Sequence, residues 1–160
     1  MKIVEITKNK RALMPLLIIG DEEETMVEKY INTCTLFAAY EGSECVAVCA
    51  VEEYAGESPL GRALEIKNIA VLPAFRKRGA GRALIEFIAD KFGGEYAAVI
   101  AGTGESPLTV PFYEKCGFKR CGKIKDYFLK NYSHPIYECG VQLRDLVYFI
   151  RPLGAEGGKL

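Results

Sequence analysis

The chain reads as one α/β domain built around a mixed sheet, and three observations point there. Residues 66–92 pass from a β-branched strand through a basic, glycine-rich turn straight into an amphipathic helix. Apolar strand-like runs alternate with helical segments along the whole length, without an internal repeat, low-complexity tract or linker. Finally, 160 residues with 49% hydrophobic content, including 8 Phe and 9 Tyr, supply one real core and exclude a disordered chain.

Taken in order, Lys2–Ile6 alternates like a short first strand. Residues 10–33 carry helical spacing in two pieces with a break expected near Gly20. Asp21 is the expected cap of the second piece, with Glu22 to Glu24 in its first turn and Met26, Val27, Tyr30 and Ile31 on one face. Thr35–Tyr40 and Cys45–Tyr54 form a hairpin around Glu41-Gly42-Ser43, and a loop at 55–61 leads to a strand over Arg62–Val71. Ala80–Phe92 is a helix with Ala80, Ala83, Leu84, Phe87 and Ile88 inward, stopped by Gly93-Gly94. Tyr96–Ala101 is a short apolar strand, and a brief helix around Pro111–Cys116 ends at Gly117. Phe118–Ile124 and Val141–Ile150 are the final strands, with an irregular or helical segment at 126–132 between them. The domain is expected to span 1–152, with 153–160 a frayed tail.

Charge narrows the function classes. Twenty-one basic and 21 acidic residues cancel, so the chain offers no overall footprint for nucleic acid or an anionic membrane. Local charge is uneven: Arg76–Arg82 is basic and Asp21–Glu24 acidic, which suits a small anionic ligand. No apolar run approaches bilayer length and the N-terminus lacks a secretory h-region, which makes a cytoplasmic location the default expectation. The six cysteines, at 34, 45, 49, 116, 121 and 139, then read as reduced thiols. Their spacings miss the usual zinc patterns and only His134 offers an imidazole, so no metal is expected.

The turn Arg76-Lys77-Arg78-Gly79-Ala80-Gly81 has the parts needed to grip a diphosphate. Unpaired N–H groups at the helix start carry partial positive charge, and the glycines allow close backbone approach. A P-loop is excluded because no Gly-Lys-Ser or Gly-Lys-Thr occurs, and a dinucleotide fingerprint because the third glycine after Gly79 and Gly81 is missing.

Arg76-x-x-Gly79-x-Gly81, preceded by Ile69-Ala70-Val71-x-Pro73, resembles the acyl-CoA-binding motif of the GNAT superfamily of N-acetyltransferases. Downstream, Phe112-Tyr113-Glu114-Lys115-x-Gly117-Phe118 resembles that superfamily's later motif at a fitting distance. The resemblance covers roughly residues 35–122. It implies a central mixed sheet of about seven strands flanked by helices, with strands 4 and 5 parallel and splayed to admit a pantetheine arm. It also implies acetyl transfer from acetyl-CoA, as co-substrate, to an amine acceptor through a direct ternary complex. A catalytically silent acyl-CoA-binding module is the second reading.

On this resemblance Tyr113 matches the position of the frequent general acid, and Glu65, four residues before Ile69, that of a catalytic glutamate in some members. Without that role, Glu65 is a strand carboxylate paired with Lys67 or Arg62. Simple alternation sets Glu65, Lys67 and Ile69 on one face and Ile66, Asn68 and Ala70 on the other. For the cofactor, the strand backbone at Ile69, Ala70 and Val71 is expected to pair with pantetheine. The turn and helix start at Arg76, Lys77, Arg78, Gly79, Ala80, Gly81, Arg82 and Ala83 are expected to cradle the diphosphate. An asparagine that many relatives place after the fifth strand is absent; Gly104-Glu105-Ser106 stands there. Asp126-Tyr127-Phe128 and Arg144-Asp145-Leu146 resemble a branch with a distinctive C-terminal third, in which Tyr127, Tyr132, His134 and Asp145 are candidates to line an acceptor pocket. If exposed, the apolar strand near Leu146–Ile150 favours a homodimer.

Overall fold

A computed structural model of the chain describes residues 1–154. Strand β1 (Lys2–Ile6) is followed by a 3-10 turn at Lys10–Leu13, α1 (Met14–Asp21) and α2 (Glu24–Glu28). Strands β2 (Thr35–Glu41), β3 (Glu44–Glu53) and β4 (Ala63–Val71) form an antiparallel run. Then come α3 (Ala80–Phe92), β5 (Ala98–Gly104), α4 (Thr109–Lys115) and β6 (Lys119–Ile124). The chain closes with α5 (Tyr127–Asn131), a small ribbon of β7 (Tyr137–Glu138) and β8 (Val141–Gln142), and β9 (Leu146–Pro152).

Seven strands form one mixed sheet in the order β1-β2-β3-β4-β5-β9-β6. Helix α3 packs on one face over Phe37, Cys49, Leu64, Ile66 and Phe149. Helices α1 and α2 pack on the other over Leu36, Ala38, Val48, Ala50 and Ala70. Among the described residues the only parallel pair is β4 with β5, and their ladder runs from Ala63 with Ala98 to Ile66 with Ala101 and then stops. Beyond it, Lys67–Val71 and Gly102–Gly104 part, opening the sheet at its centre. No helix among the described residues is long and apolar enough to cross a membrane.

A β-bulge on β4 lies where that ladder stops, and it corrects one expectation. Ala50 pairs with Asn68 but Val51 pairs with Ile66, so β4 carries an extra residue at Lys67. An extra residue reverses the alternation beyond it. Leu64 and Ile66 therefore share the α3 face with Ile69 and Val71, while Ala70 joins the α1 face. Glu65 lies on the face of Asn68 and Ala70, not on that of Ile69 as simple alternation required.

The first helical region departs as well. Gly20 is inside α1, where it serves packing: a Cβ there would sit 2.1 Å from Asn68 Oδ1 and 3.2 Å from the Ile69 carbonyl oxygen. The helix breaks at Glu22, whose backbone is left-handed (φ 67°), while the Asp21 carbonyl accepts the Glu23 N–H at 2.7 Å. This is a tight three-residue turn of a strained kind. Glu23, not Asp21, precedes α2, and the Asp21 carboxylate is engaged elsewhere.

At the C-terminal end, β9 begins at Leu146 and is flanked by β5 and β6, with Leu146, Val147, Phe149 and Ile150 buried. The apolar run expected as a dimer face is thus covered by its own sheet. Leu153 still belongs to the fold, its N–H donating to the Ala97 carbonyl at 2.9 Å. Positions 155–160 of the expected tail lie outside the described residues.

Candidate active site

The parted strands open on a cleft of about 960 Å³. It extends from the start of α3 on one face to the ends of α1 and α5 on the other.

On the α3 side, the turn before the helix has left-handed backbone at Lys77 (φ 63°) and at Gly79 (φ 87°). This conformation costs a non-glycine residue such as Lys77 about 1–3 kcal/mol unless the surroundings enforce it. The turn brings the first residues of α3 to the wall of the cleft. Among the described residues, the N–H groups of Lys77 through Arg82 have no partner, whereas Ala83 N–H donates to the Gly79 carbonyl at 2.9 Å. The unpaired donors therefore end at Arg82, one residue earlier than expected, because the fifth amide of any helix already has its i−4 carbonyl.

Ile69, Ala70, Val71, Arg76, Lys77, Gly79, Ala80, Gly81 and Arg82 all line the cleft. Ala83 and Arg78 do not; the Arg78 guanidinium lies 5.2 Å from the Phe75 ring centre. Gly81 is buried, and a Cβ there would come within 2.9 Å of the Phe112 ring. This close approach lets α3 begin hard against α4 and keeps its amides unobstructed.

Tyr113, on α4, is 4% exposed and stacks on Phe149 with ring centres 5.6 Å apart. Its hydroxyl has no hydrogen-bond partner among the described residues, yet the side chain lines the cleft. Burial pushes its ionisation well above the ordinary tyrosine range, so it remains a proton donor at neutral pH. Helix α4 is started by Ser106, whose Oγ accepts the Leu108 and Thr109 N–H groups at 3.2 Å each and donates to Glu138. That serine occupies the neighbourhood where an asparagine was sought.

Glu65 lines the cleft from the α1 face, with its carboxylate 3.1 Å from Lys67 Nζ; Glu52 lies 3.9 Å from the same ammonium. Of the two anticipated partners Lys67 takes it, while Arg62 pairs with Glu53 at 2.7 Å.

A buried polar chain, which sequence reading missed, walls this side. Asp21 Oδ1 accepts the Tyr132 hydroxyl at 2.6 Å and Oδ2 the Tyr30 hydroxyl at 2.7 Å. Asn68 Nδ2 donates to Tyr30 Oη at 2.9 Å and to the Leu17 carbonyl at 2.7 Å. Burial raises the Asp21 carboxyl above its ordinary range, against the lowering effect of both tyrosine hydrogen bonds. Partners 9 and 111 residues from Asp21 leave no local signal in the sequence.

Of the four acceptor-pocket candidates, Tyr127 and Tyr132 line the cleft and His134 and Asp145 do not. His134 Nδ1 lies 3.3 Å from Glu23, on the surface. Asp145 Oδ1 accepts the Asp126 N–H at 2.9 Å and Arg144 carbonyl the Phe128 N–H at 2.9 Å, so the two C-terminal motifs meet and hold each other. The six cysteines are free thiols, and burial raises the ionisation of Cys49 and Cys116, which leaves them unreactive. Among the described residues, no group of three His, Cys, Asp or Glu side chains is arranged to hold a metal ion.

Comparison with known proteins agrees with this geometry. A family model described as the acetyltransferase (GNAT) domain matches residues 32–120. The chain is 32% identical over 139 residues to a Bacillus subtilis (strain 168) protein named "Uncharacterized N-acetyltransferase YvbK", covering 84% of this chain and 85% of that protein. Among solved structures, a GNAT family acetyltransferase from Elizabethkingia anophelis with acetyl-CoA bound superposes with a TM-score of 0.85 at 27% identity, covering 95% of this chain and 97% of that one. A Bacillus subtilis acetyltransferase in complex with CoA gives 0.83 at 28%, covering 96% and 99%. The chain belongs to the GNAT acetyltransferase family and has its fold: a seven-stranded mixed sheet with one parallel pair, flanked by helices. It is an acyltransferase.

Proposed function

We propose that this acetyltransferase moves the acetyl group of acetyl-CoA, its co-substrate, to a primary amine in a direct ternary complex. One observation carries the reading. The unpartnered amides at the start of α3 and the unpartnered Tyr113 hydroxyl open onto one continuous cleft, and that cleft passes between the parted β4 and β5. The free N–H groups of Lys77 to Arg82, with the side chains of Arg76, Lys77 and Arg82, suit a diphosphate. The strand backbone at Ile69, Ala70 and Val71 suits a pantetheine amide, since the β4–β5 ladder leaves that stretch without its parallel partner.

The chemistry then needs two protons moved. A lysine-like amine is neutral in only about one molecule in 2,500 at pH 7, so a base is worth about 10²–10⁴-fold. Glu65, on the α1 face of β4, is that base in this reading, directly or through water, with Lys67 fixing its orientation. As the amine nitrogen bonds to the acyl carbon and the carbon–sulfur bond breaks, Tyr113 gives its proton to the departing thiolate. The proton that the nitrogen sheds on becoming an amide passes to water, and water restores the Tyr113 hydroxyl.

The test is turnover with a panel of primary amines, read as release of free thiol from acetyl-CoA. The expected result is saturable release with at least one amine, absent without it. Tight acetyl-CoA binding with no release from any amine would favour a silent binding module instead.

A further inference from the structure

The two ends of the cleft carry opposite charge. Arg76, Lys77, Arg82 and Lys115 line the end at α3, with no carboxylate among them. At the far end Asp21 and Glu22, at the end of α1, and Glu138, on β7, line the cleft from two separate segments, and none of the three has a salt-bridge partner among the described residues. The cations acting on Asp21 are Lys29, whose effect ranks below both tyrosine hydrogen bonds, and Lys67, which is shared by Glu52 and Glu65; the basic group acting on Glu22 is His134, whose ring lies against Glu23. Burial and the facing charge of Glu138 both raise the Glu22 carboxyl, so these two groups lie close enough to oppose each other.

Asp21 and Glu138 are half-buried without a countercharge, which is costly and which a ligand cation would relieve, and the more exposed Glu22 adds its charge to the same end. Their spacing does not suit a metal, because among the described residues no three ligating side chains converge. An extended organic cation is the better match. The rings of Tyr30, Tyr127, Tyr132 and Tyr148 line the same end and supply apolar and π surface for an alkyl spacer and its ammonium group. Both Asp21 oxygens already accept a hydroxyl proton, so this carboxylate contributes field rather than proton transfer.

We infer that the acceptor is a cationic di- or polyamine: one amine reaches the thioester neutral while a second, protonated amine rests against the carboxylate end formed by Asp21, Glu22 and Glu138. The inference rests on the acetyl-transfer reading above and adds the acceptor's charge to it.

Matched acceptors test it. Thiol release from acetyl-CoA is measured for 1-aminobutane, 1,4-diaminobutane and 4-aminobutanoate, and for the six-carbon equivalents. The diamine is expected to exceed its monoamine at least tenfold in kcat/KM at low ionic strength, with the advantage shrinking as KCl is added. The aminocarboxylate is expected to be the poorest of each set. A Glu22→Gln, Glu138→Gln double variant should narrow the diamine-to-monoamine ratio several-fold. Monoamines turning over as well as diamines, or a ratio untouched by the double variant, overturns the inference while leaving acetyl transfer standing. No release from any acceptor, with acetyl-CoA still bound, overturns the acetyl-transfer reading and this one with it.

Discussion

Replacing Tyr113 with Phe should lower kcat about 100-fold, the lower end of what a positioned proton donor is worth, while acetyl-CoA affinity and Tm stay near those of the parent. The separation of effects follows from the surroundings. The ring is packed against Phe112, Phe118 and Phe149, and phenylalanine keeps all of that packing. The hydroxyl has no partner among the described residues, so its loss strands no buried group and costs the fold little. What disappears is the proton for the leaving thiolate. Because burial raises the Tyr113 ionisation, the donor stays protonated through neutral and mildly alkaline pH. Any fall in parent rate over that range must then come from another group. Steady-state kinetics beside a thermal melt decide the matter; a kcat within twofold of the parent removes Tyr113 from the chemistry.

The second large effect is expected at Gly81. Valine there must displace the Phe112 ring, which would lie 2.9 Å from the new Cβ, and it also puts branched methyls over the amides at the start of α3. Hydrogen bonds to a charged group are worth about 1.5–3 kcal/mol each, so losing one or two should weaken acetyl-CoA binding about 100-fold. Titration calorimetry measures this, with a melting curve to confirm folding. Gly122→Ala is the control: nothing lies within 4 Å of a Cβ at that position on β6, and affinity should not change. Equal affinity in the Gly81→Val protein would mean that the phosphates bind elsewhere.

Much of the architecture is legible in the chain because its signals are local. The strand into Val71, the turn through Gly79 and the amphipathic helix from Ala80 form one contiguous record, and Gly117 marks the end of α4 by its left-handed backbone. Features set by distant pairing are not legible. The bulge at Lys67 depends on how β3 meets β4, yet it decides which face Glu65 occupies. The strand β9 looks like an outer apolar strand until its insertion between β5 and β6 is known. Gly20 imitates a helix breaker because glycine required for close packing and glycine required for a turn are the same letter. Asp21 has the composition of a cap and instead gathers two tyrosine hydroxyls across the fold. The carboxylate end of the cleft is assembled from residues near positions 21 and 138, and only folding brings them together.

The most direct measurement compares acetyl-CoA with S-acetylpantetheine by titration calorimetry on the full chain. Both carry the same thioester and pantetheine arm, and only the first has phosphates. A cradle at Lys77 to Arg82 predicts saturable binding of acetyl-CoA and an affinity for the truncated carrier at least 100-fold weaker. Equal affinities, or no saturation with acetyl-CoA, would contradict it.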